Sequence, residues 1–203
     1  MCGRLARLAL ATAALAAVQG CFDEPTPAYK TVPEGARVYL QDKSLKNLAA
    51  HRDALKADLV DYVNLDRNEI EEFPQELLAL SGLKWLRLNG NRLSSLPDLS
   101  GLVALRRIYL RANRFSEVPE ALKDLPSLTD VDLSQNPVEA VPQWLVDKKG
   151  LENVSLSETK VTKLPDSLDG WKTLVSLQLG GLKMSAAEMA RIRAALPKVA
   201  IVF

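Results

Sequence analysis

The sequence predicts a solenoid, a fold in which short repeated units stack along one axis. The first observation is a period, since segments that begin at Val60, Leu83, Leu105, Leu128 and Leu151 follow one another every 22 or 23 residues. The second is a shared frame with apolar residues at places 1, 4, 6, 11 and 14 and proline at place 15. One such unit cannot bury its apolar side alone, whereas stacked copies form a continuous core.

Each unit is expected to begin with a short strand. Places 4 and 6 point inward, so places 3, 5 and 7 point to the opposite face. At place 9 the chain leaves the strand, and an amide side chain there can bond backbone groups that the bend would otherwise leave unpaired. Thr159 and Leu182 occupy this place in later units, so we expect the ladder to weaken toward the C-terminus. Earlier units carry asparagine, namely Asn68, Asn91, Asn113 and Asn136.

The pattern resembles the leucine-rich repeat family, of the type with Leu-Pro after the strand, over roughly residues 35–203. The stretch "LKWLRLNGNRLSSLP" at 83–97 carries the whole frame. The resemblance implies an α/β solenoid, a curved right-handed superhelix whose concave side is a parallel sheet. It implies about 7 to 8 repeats when the caps are included.

The chain is expected to have five parts. Terminal repeats must shield the core from water, so atypical sequence is expected at both ends of the repeat array. The parts are a signal peptide at 1–20, a lipidated cysteine and proline-rich tether at 21–34, an N-terminal capping repeat and helix at 35–59, leucine-rich repeats at 60–184, and a C-terminal cap helix with a last strand at 185–203.

The N-terminus is typical of an exported protein. Arg4 and Arg7 precede an apolar run of 11 residues at 8–18, which is too short to span a hydrocarbon core of roughly 30 Å as a helix. The "VQGC" at 18–21 resembles the bacterial lipobox, in which the peptidase cuts before a cysteine that carries lipid. Cys21 is therefore the predicted lipidation site. The alternative is an ordinary cleaved signal peptide with an incidental cysteine.

This resemblance also predicts a location in the bacterial cell envelope. Phe22 follows Cys21, and in enterobacteria an aspartate at that position favours retention in the inner membrane. We therefore expect the outer membrane rather than the inner one. Residues 22–34 contain three prolines, and at about 3.1 Å per residue they would hold a domain roughly 40 Å from its anchor.

Composition argues against several classes of function. The chain has 26 basic and 25 acidic side chains and a formal charge of +1, too little to collect nucleic acid or anionic membrane. His51 is the single histidine and Cys21 the one cysteine left after cleavage, so we expect no zinc site and no Cys/His or Ser/His/Asp catalytic group. We expect no enzyme and no cofactor. The catalytic domain of leucine-rich-repeat ligases lies beyond the repeats, and this sequence ends at Phe203.

Aromatic and cationic residues gather at the outward places of four neighbouring predicted strands. Strands lie about 4.8 Å apart, so this aromatic–arginine patch would be roughly 15 Å across. Tyr, Trp and Arg dominate interface hot spots, and we hypothesise that the patch binds a protein partner that offers carboxylates or other anions to Arg87, Arg107 and Arg111. Its members are Tyr39, Tyr62, Trp85, Arg87, Arg107, Tyr109 and Arg111.

Asp130 and Asp132 on the next strand complete the predicted site and are candidates for ion pairs with Arg107 and Arg111. The predicted function is a non-enzymatic, lipid-anchored module for protein–protein recognition. One alternative is that aromatic residues merely suit strands and stack on arginines without a ligand. The other is a structural envelope scaffold or a binder of anionic glycan or cell-wall polymer. The sequence predicts no particular oligomeric state.

Overall fold

The computed structural model describes residues 36–55 and 60–203, which fall within one structural unit, Gly35–Phe203. The predicted signal peptide, the lipidation site Cys21 and the proline-rich tether lie outside the described residues. In the described part of the chain, no helix is long and apolar enough to cross a membrane.

Short strands of the described residues form one eight-stranded sheet in which spatial order follows chain order. All neighbouring strands are parallel, and equivalent places of successive units lie side by side, as Trp85 does with Arg107. The sheet is open and confirms the predicted α/β solenoid. The strands are Ala36–Tyr39 (β1), Val60–Asn64 (β2), Trp85–Arg87 (β3), Arg107–Tyr109 (β4), Asp130–Asp132 (β5), Asn153–Ser155 (β6), Ser176–Gln178 (β7) and Ala200–Val202 (β8).

The core lies behind the sheet and is built from the inward places of the frame. From β2 to β7, every side chain at places 4 and 6 is at most 2% exposed, including Leu86 and Leu88. Full burial of one such side chain stabilises the fold by roughly 1.5–3 kcal/mol. Trp171 on the returning side is also fully buried, and its Nε1–H donates to the carbonyl oxygen of Leu145 at 3.1 Å.

The convex side is made of short helical turns. Three of them follow a place-15 proline whose φ of −61° to −74° leads the chain into the turn. Between β1 and β2 the structure has a 3-10 helix at Ala49–Leu55, where the sequence predicts a helix of the N-terminal cap. The other turns are the 3-10 helices Gln75–Ala79, Glu120–Leu122 and Asp169–Thr173 and the α-helix Gln143–Asp147.

The asparagine ladder forms as predicted. Asn113 Nδ2 donates to the carbonyl oxygen of Leu88 in the preceding unit and to that of Leu110 in its own unit, both at 2.9 Å. Its Oδ1 accepts the backbone N–H of Leu93 at 3.0 Å. Asn68, Asn91 and Asn136 make equivalent bonds. The hydroxyl of Thr159 bonds the Leu156 carbonyl of its own unit at 2.8 Å, so the ladder weakens there.

Place 8 of the units adopts the left-handed backbone region, a feature that the sequence did not reveal. This conformation costs a non-glycine residue roughly 1–2 kcal/mol. It persists because the backbone N–H groups at this place from Asp42 to Glu158 donate across to the next unit, as Ala112 does to the Ser134 carbonyl at 2.9 Å. The residues are Asp42, Arg67, Gly90, Ala112, Gln135, Glu158 and Gly181.

The C-terminal helix spans Ala186–Ala195 and is followed by β8, close to the helix that the sequence predicts from about Ser185 to Leu196. Ser185 caps it by accepting the backbone N–H of Glu188 at 3.1 Å. The Glu188 carboxylate is buried, and it binds the Arg191 guanidinium at 2.7 Å and the backbone N–H of Leu164 at 2.9 Å. The helix is thereby fixed to the preceding turn.

Candidate functional site

A row of side chains in mutual contact crosses the concave sheet at place 3. The Arg37 guanidinium carbon lies 5.9 Å from the centre of the Tyr62 ring. Tyr62 meets Trp85 edge to face, with ring centres 5.9 Å apart. The Arg107 guanidinium carbon lies 4.6 Å from the centre of the Trp85 ring. Tyr39, at place 5 of β1, extends this packing through a ring-centre distance of 5.4 Å to Tyr62.

The row continues into a carboxylate on β5. Arg107 Nε lies 3.6 Å from Asp130 Oδ2, which confirms the candidate ion pair between these residues. Asp130 is buried, and its Oδ1 accepts a hydrogen bond from Asn153 Nδ2 at 2.9 Å. A buried carboxylate with two such partners holds the guanidinium in place more firmly than an exposed one would.

A second arginine is held by an aspartate that the sequence analysis did not include in the site. Arg87 Nε and Nη2 lie 2.7 and 2.6 Å from Asp66 Oδ2. Only 3% of the Asp66 side chain is exposed, and its Oδ1 accepts the backbone N–H of Asn89 at 2.8 Å. Arg87 also lies 5.3 Å from the centre of the Tyr109 ring. The sequence does contain a signal for this ion pair, because Asp66 stands at place 7 of one unit and Arg87 at place 5 of the next.

The suggested ion pair between Arg111 and Asp132 is not present, so this part of the prediction is wrong. Arg111 Nε donates to Gln135 Oε1 at 2.9 Å. Asp132 Oδ1 instead accepts the backbone N–H of Ser134 at 2.9 Å and the hydroxyl of Ser134. Both groups bond closer partners on the turn that follows the strand, and Arg111 stays exposed.

The structure therefore brings the aromatic rings of the patch into contact with one another or with Arg87 and Arg107 on β1 to β4, while Arg111 lies beyond β4 and bonds Gln135. Tyr39 is 45% exposed and Trp85 is 36% exposed, whereas Tyr62 is half-buried between them. Burial raises the pKa of the Tyr62 hydroxyl, while the nearby charge of Arg87 opposes that rise. The hydroxyl is therefore protonated at neutral pH and can donate a hydrogen bond.

The concave face changes character beyond β5. Asn153, Ser155, Ser176 and Gln178 stand at the outward places of β6 and β7, and Gln178 bonds Ser176 at 2.8 Å. These side chains are polar and uncharged, without the rings and guanidinium groups of the earlier strands. Within the described residues, no group of three His, Cys, Asp or Glu side chains is arranged to hold a metal ion.

Known structures share this architecture. A leucine-rich-repeat protein of Leptospira interrogans matches with a TM-score of 0.63 and 26% identity, over 75% of this chain and 45% of that one. The leucine rich repeat family profile matches residues 59–115. This chain folds as a leucine-rich-repeat solenoid. Such a fold is generally a non-enzymatic scaffold that binds other proteins, although the fold does not fix the partner.

Two further similarities are more limited. An internalin from Listeria monocytogenes matches this leucine-rich-repeat chain with a TM-score of 0.58 and 15% identity, over 82% of this chain and 56% of the internalin, which supports the fold. A probable serine/threonine-protein kinase, pats1, of Dictyostelium discoideum is 36% identical over 80 residues, which are 36% of this chain and 2% of the kinase. The chain thus spans about half of the solved relatives' length and a small part of the kinase.

Proposed function

We propose that this leucine-rich-repeat chain is a non-enzymatic recognition module whose aromatic–arginine patch binds a protein partner. The supporting observation is that side chains of the patch are held in place by contacts with one another and with buried carboxylates. Trp85 is fixed between Tyr62 and Arg107, and Arg87 is fixed between Asp66 and Tyr109. Side chains that are already ordered lose little conformational entropy on binding, which favours affinity.

A protein partner suits the patch better than a glycan does. Sugar rings bind aromatic side chains by stacking on an open ring face. Arg107 covers a face of Trp85, Arg87 lies over Tyr109 and Arg37 lies over Tyr62. The patch also carries hydroxyls and guanidinium donors beside partly exposed rings, which match carbonyls, carboxylates and apolar side chains. Binding to anionic cell-wall polymer is the second candidate and a separate outcome of the test.

The test is affinity capture from a bacterial envelope extract with the full chain in mild detergent. We expect a partner that wild type retains and that a Tyr39→Ala, Trp85→Ala double variant loses, since hot-spot truncations often weaken binding by about 10-fold or more. Val175→Ala is the matched control, because Val175 is 61% exposed but stands outside the concave places. Circular dichroism would verify that all variants fold.

The outcome of this capture separates the candidates. Equal capture of the same proteins by wild type and the double variant would contradict a role for the patch. Saturable binding to purified peptidoglycan or lipopolysaccharide, without a protein partner, would favour the polymer candidate instead.

We also propose that the module is lipid-anchored in the bacterial envelope, at the outer membrane rather than the inner one. The support is the "VQGC" at 18–21 after an apolar run. The test is metabolic labelling with an alkyne palmitate analogue, followed by membrane fractionation, of wild type and Cys21→Ala. We expect wild type to be labelled in the outer-membrane fraction and the variant to lose both label and sedimentation. Equal labelling of the two proteins would contradict lipidation at Cys21.

A further inference from the structure

The arginines of the aromatic–arginine patch are not equivalent, because two of the three already have a carboxylate. Arg87 pairs with Asp66, and Arg107 pairs with Asp130. Among the described residues, Arg111 forms no ion pair, and its bond to Gln135 uses Nε. Within the patch, the terminal Nη atoms of Arg111 are therefore the donors best placed to receive an anion from outside, two residues beyond the end of β4, where its side chain is exposed.

We infer that the partner segment is an apolar stretch of polypeptide with one carboxylate, whose apolar side chains cover Tyr39, Tyr62 and Trp85 and whose carboxylate pairs with Arg111. This inference rests on the proposed function and narrows it. The sequence analysis expected Arg87, Arg107 and Arg111 to receive anions from the partner, and this inference keeps only Arg111. The apolar end follows from the exposure of Tyr39 and Trp85 at 45% and 36%, and the acidic end follows from the charge of Arg111.

The surroundings of Arg111 favour a carboxylate over a phosphate or a polyanion. Asp132 lies on the neighbouring strand β5, whereas the charges of Asp66 and Asp130 are offset by Arg87 and Arg107. A dianionic group would meet repulsion from Asp132, whereas a single carboxylate matches the fork of one guanidinium. The face as a whole is close to neutral once its two internal ion pairs are counted.

The frame also sets the spacing between the two contacts. Trp85 stands at place 3 of β3 and Arg111 at place 7 of the next unit. Four residues along a strand correspond to about 13 Å, and one strand spacing adds about 4.8 Å across the sheet. The two groups are thus roughly 14 Å apart, which about four residues of an extended chain can span. The acidic residue should lie about that far from the apolar anchor.

A peptide selection tests this chemistry directly. A phage-displayed library of random dodecapeptides would be selected on the full chain in mild detergent, and the enriched peptides would be measured by fluorescence polarisation at low and high salt. We expect an Asp or Glu about four residues from an aromatic or aliphatic residue. Arg111→Gln should weaken binding about 10-fold and remove most of its salt dependence, with partial recovery in Arg111→Lys.

The controls separate this inference from the proposed function. Arg114→Gln makes the same charge change at an exposed residue outside places 3, 5 and 7 and should leave binding unchanged. If Trp85→Ala weakens binding while Arg111→Gln behaves like Arg114→Gln, the carboxylate contact is overturned and the patch is still a binding surface. Enriched peptides without an acidic residue, or no enriched peptide at all, would overturn the inference, and the envelope capture would still decide the proposed function.

Discussion

The early and late units of the solenoid use different side chains to bond the backbone carbonyls that join successive units. From β2 to β5, the asparagine ladder joins each unit to the one before it, as Asn113 joins Leu88 to Leu110. From Thr159 onward this amide is missing, and side chains outside the repeated frame join the turns. Arg191 is an example, because its guanidinium donates to the carbonyl oxygens of Leu164, Pro165 and Asp166 at 3.0–3.1 Å.

The difference shows that the backbone of every turn needs hydrogen-bond donors, and that different side chains can supply them. Carbonyls that leave the sheet must find donors because an unpaired buried polar group costs roughly 1–3 kcal/mol. In the early units, where the turn repeats regularly, asparagine at place 9 supplies these donors. In the late units, individual side chains such as Trp171 bond carbonyls of the preceding turn instead.

The largest expected effect comes from breaking the ladder in the early units. Asn113→Ala removes donors from Leu88 and Leu110 and an acceptor from Leu93. We expect the free energy of unfolding to fall by about 3 kcal/mol, measured by urea denaturation with circular dichroism.

Thr159→Val is the matched substitution in the late units. Its one side-chain bond lies within its own unit, so we expect a loss of about 1 kcal/mol. Equal losses for Asn113→Ala and Thr159→Val would show that the ladder does not distinguish the early units from the late ones.

The next effect tests how closely the irregular turns pack. A Cβ added to Gly170 would overlap the carbonyl oxygen of Val146 and would lie 2.8 Å from the carbonyl carbon of Val146 and 3.0 Å from the Cα of Asp147. Backbone atoms cannot move aside as a side-chain end can, so Gly170→Ala should reduce the free energy of unfolding by about 2 kcal/mol. The measurement is the urea midpoint.

Gly82→Ala is the control in the early units. There the nearest atom to the added Cβ is the Val60 carbonyl oxygen at 4.0 Å, and we expect little change in stability. If Gly170→Ala leaves the free energy of unfolding unchanged, the two turns can separate without a loss of stability.

A third effect depends on pH. The hydrogen bond from Arg191 holds the pKa of the Glu188 carboxyl below its usual range, and the Leu164 N–H acts in the same direction. Because the folded pKa lies below the unfolded value of about 4.3, the stabilisation is complete above that value and is lost as the pH falls through the folded pKa. Glu188→Gln should therefore reduce stability by about 1.5 kcal/mol at pH 7.

The difference between wild type and Glu188→Gln should shrink as the pH approaches 3, which urea denaturation at both pH values would measure. Asp169→Asn is the control, because Asp169 pairs with Lys172 at the surface and exposed pairs often contribute nothing measurable. A difference for Glu188→Gln that stays constant with pH would argue against the charged form as the source of the stability.

The repeat frame predicted the parts of the fold and patch that recur. It gave the inward residues such as Leu86, the asparagine ladder, and the common face of Trp85 and Arg107, because periodicity fixes which way each side chain points. It did not give the pair of Asp66 and Arg87, which depends on diagonal contacts between places on adjacent strands. The left-handed backbone at place 8 left almost no signal in the sequence, since only Gly90 and Gly181 are glycines there.

The smallest expected effect comes from a substitution that makes a late unit resemble an early one. Thr159→Asn places an amide where Asn136 donates to Leu110 and Leu133 in the preceding position of the array. The new amide should reach the carbonyls of Leu133 and Leu156 and raise the free energy of unfolding by about 1 kcal/mol. Thr162→Asn, at an exposed residue of the same unit, should change nothing. A destabilised Thr159→Asn would mean that the late turns have diverged too far for the amide to bridge them, and that their own side chains now define the stacking distance.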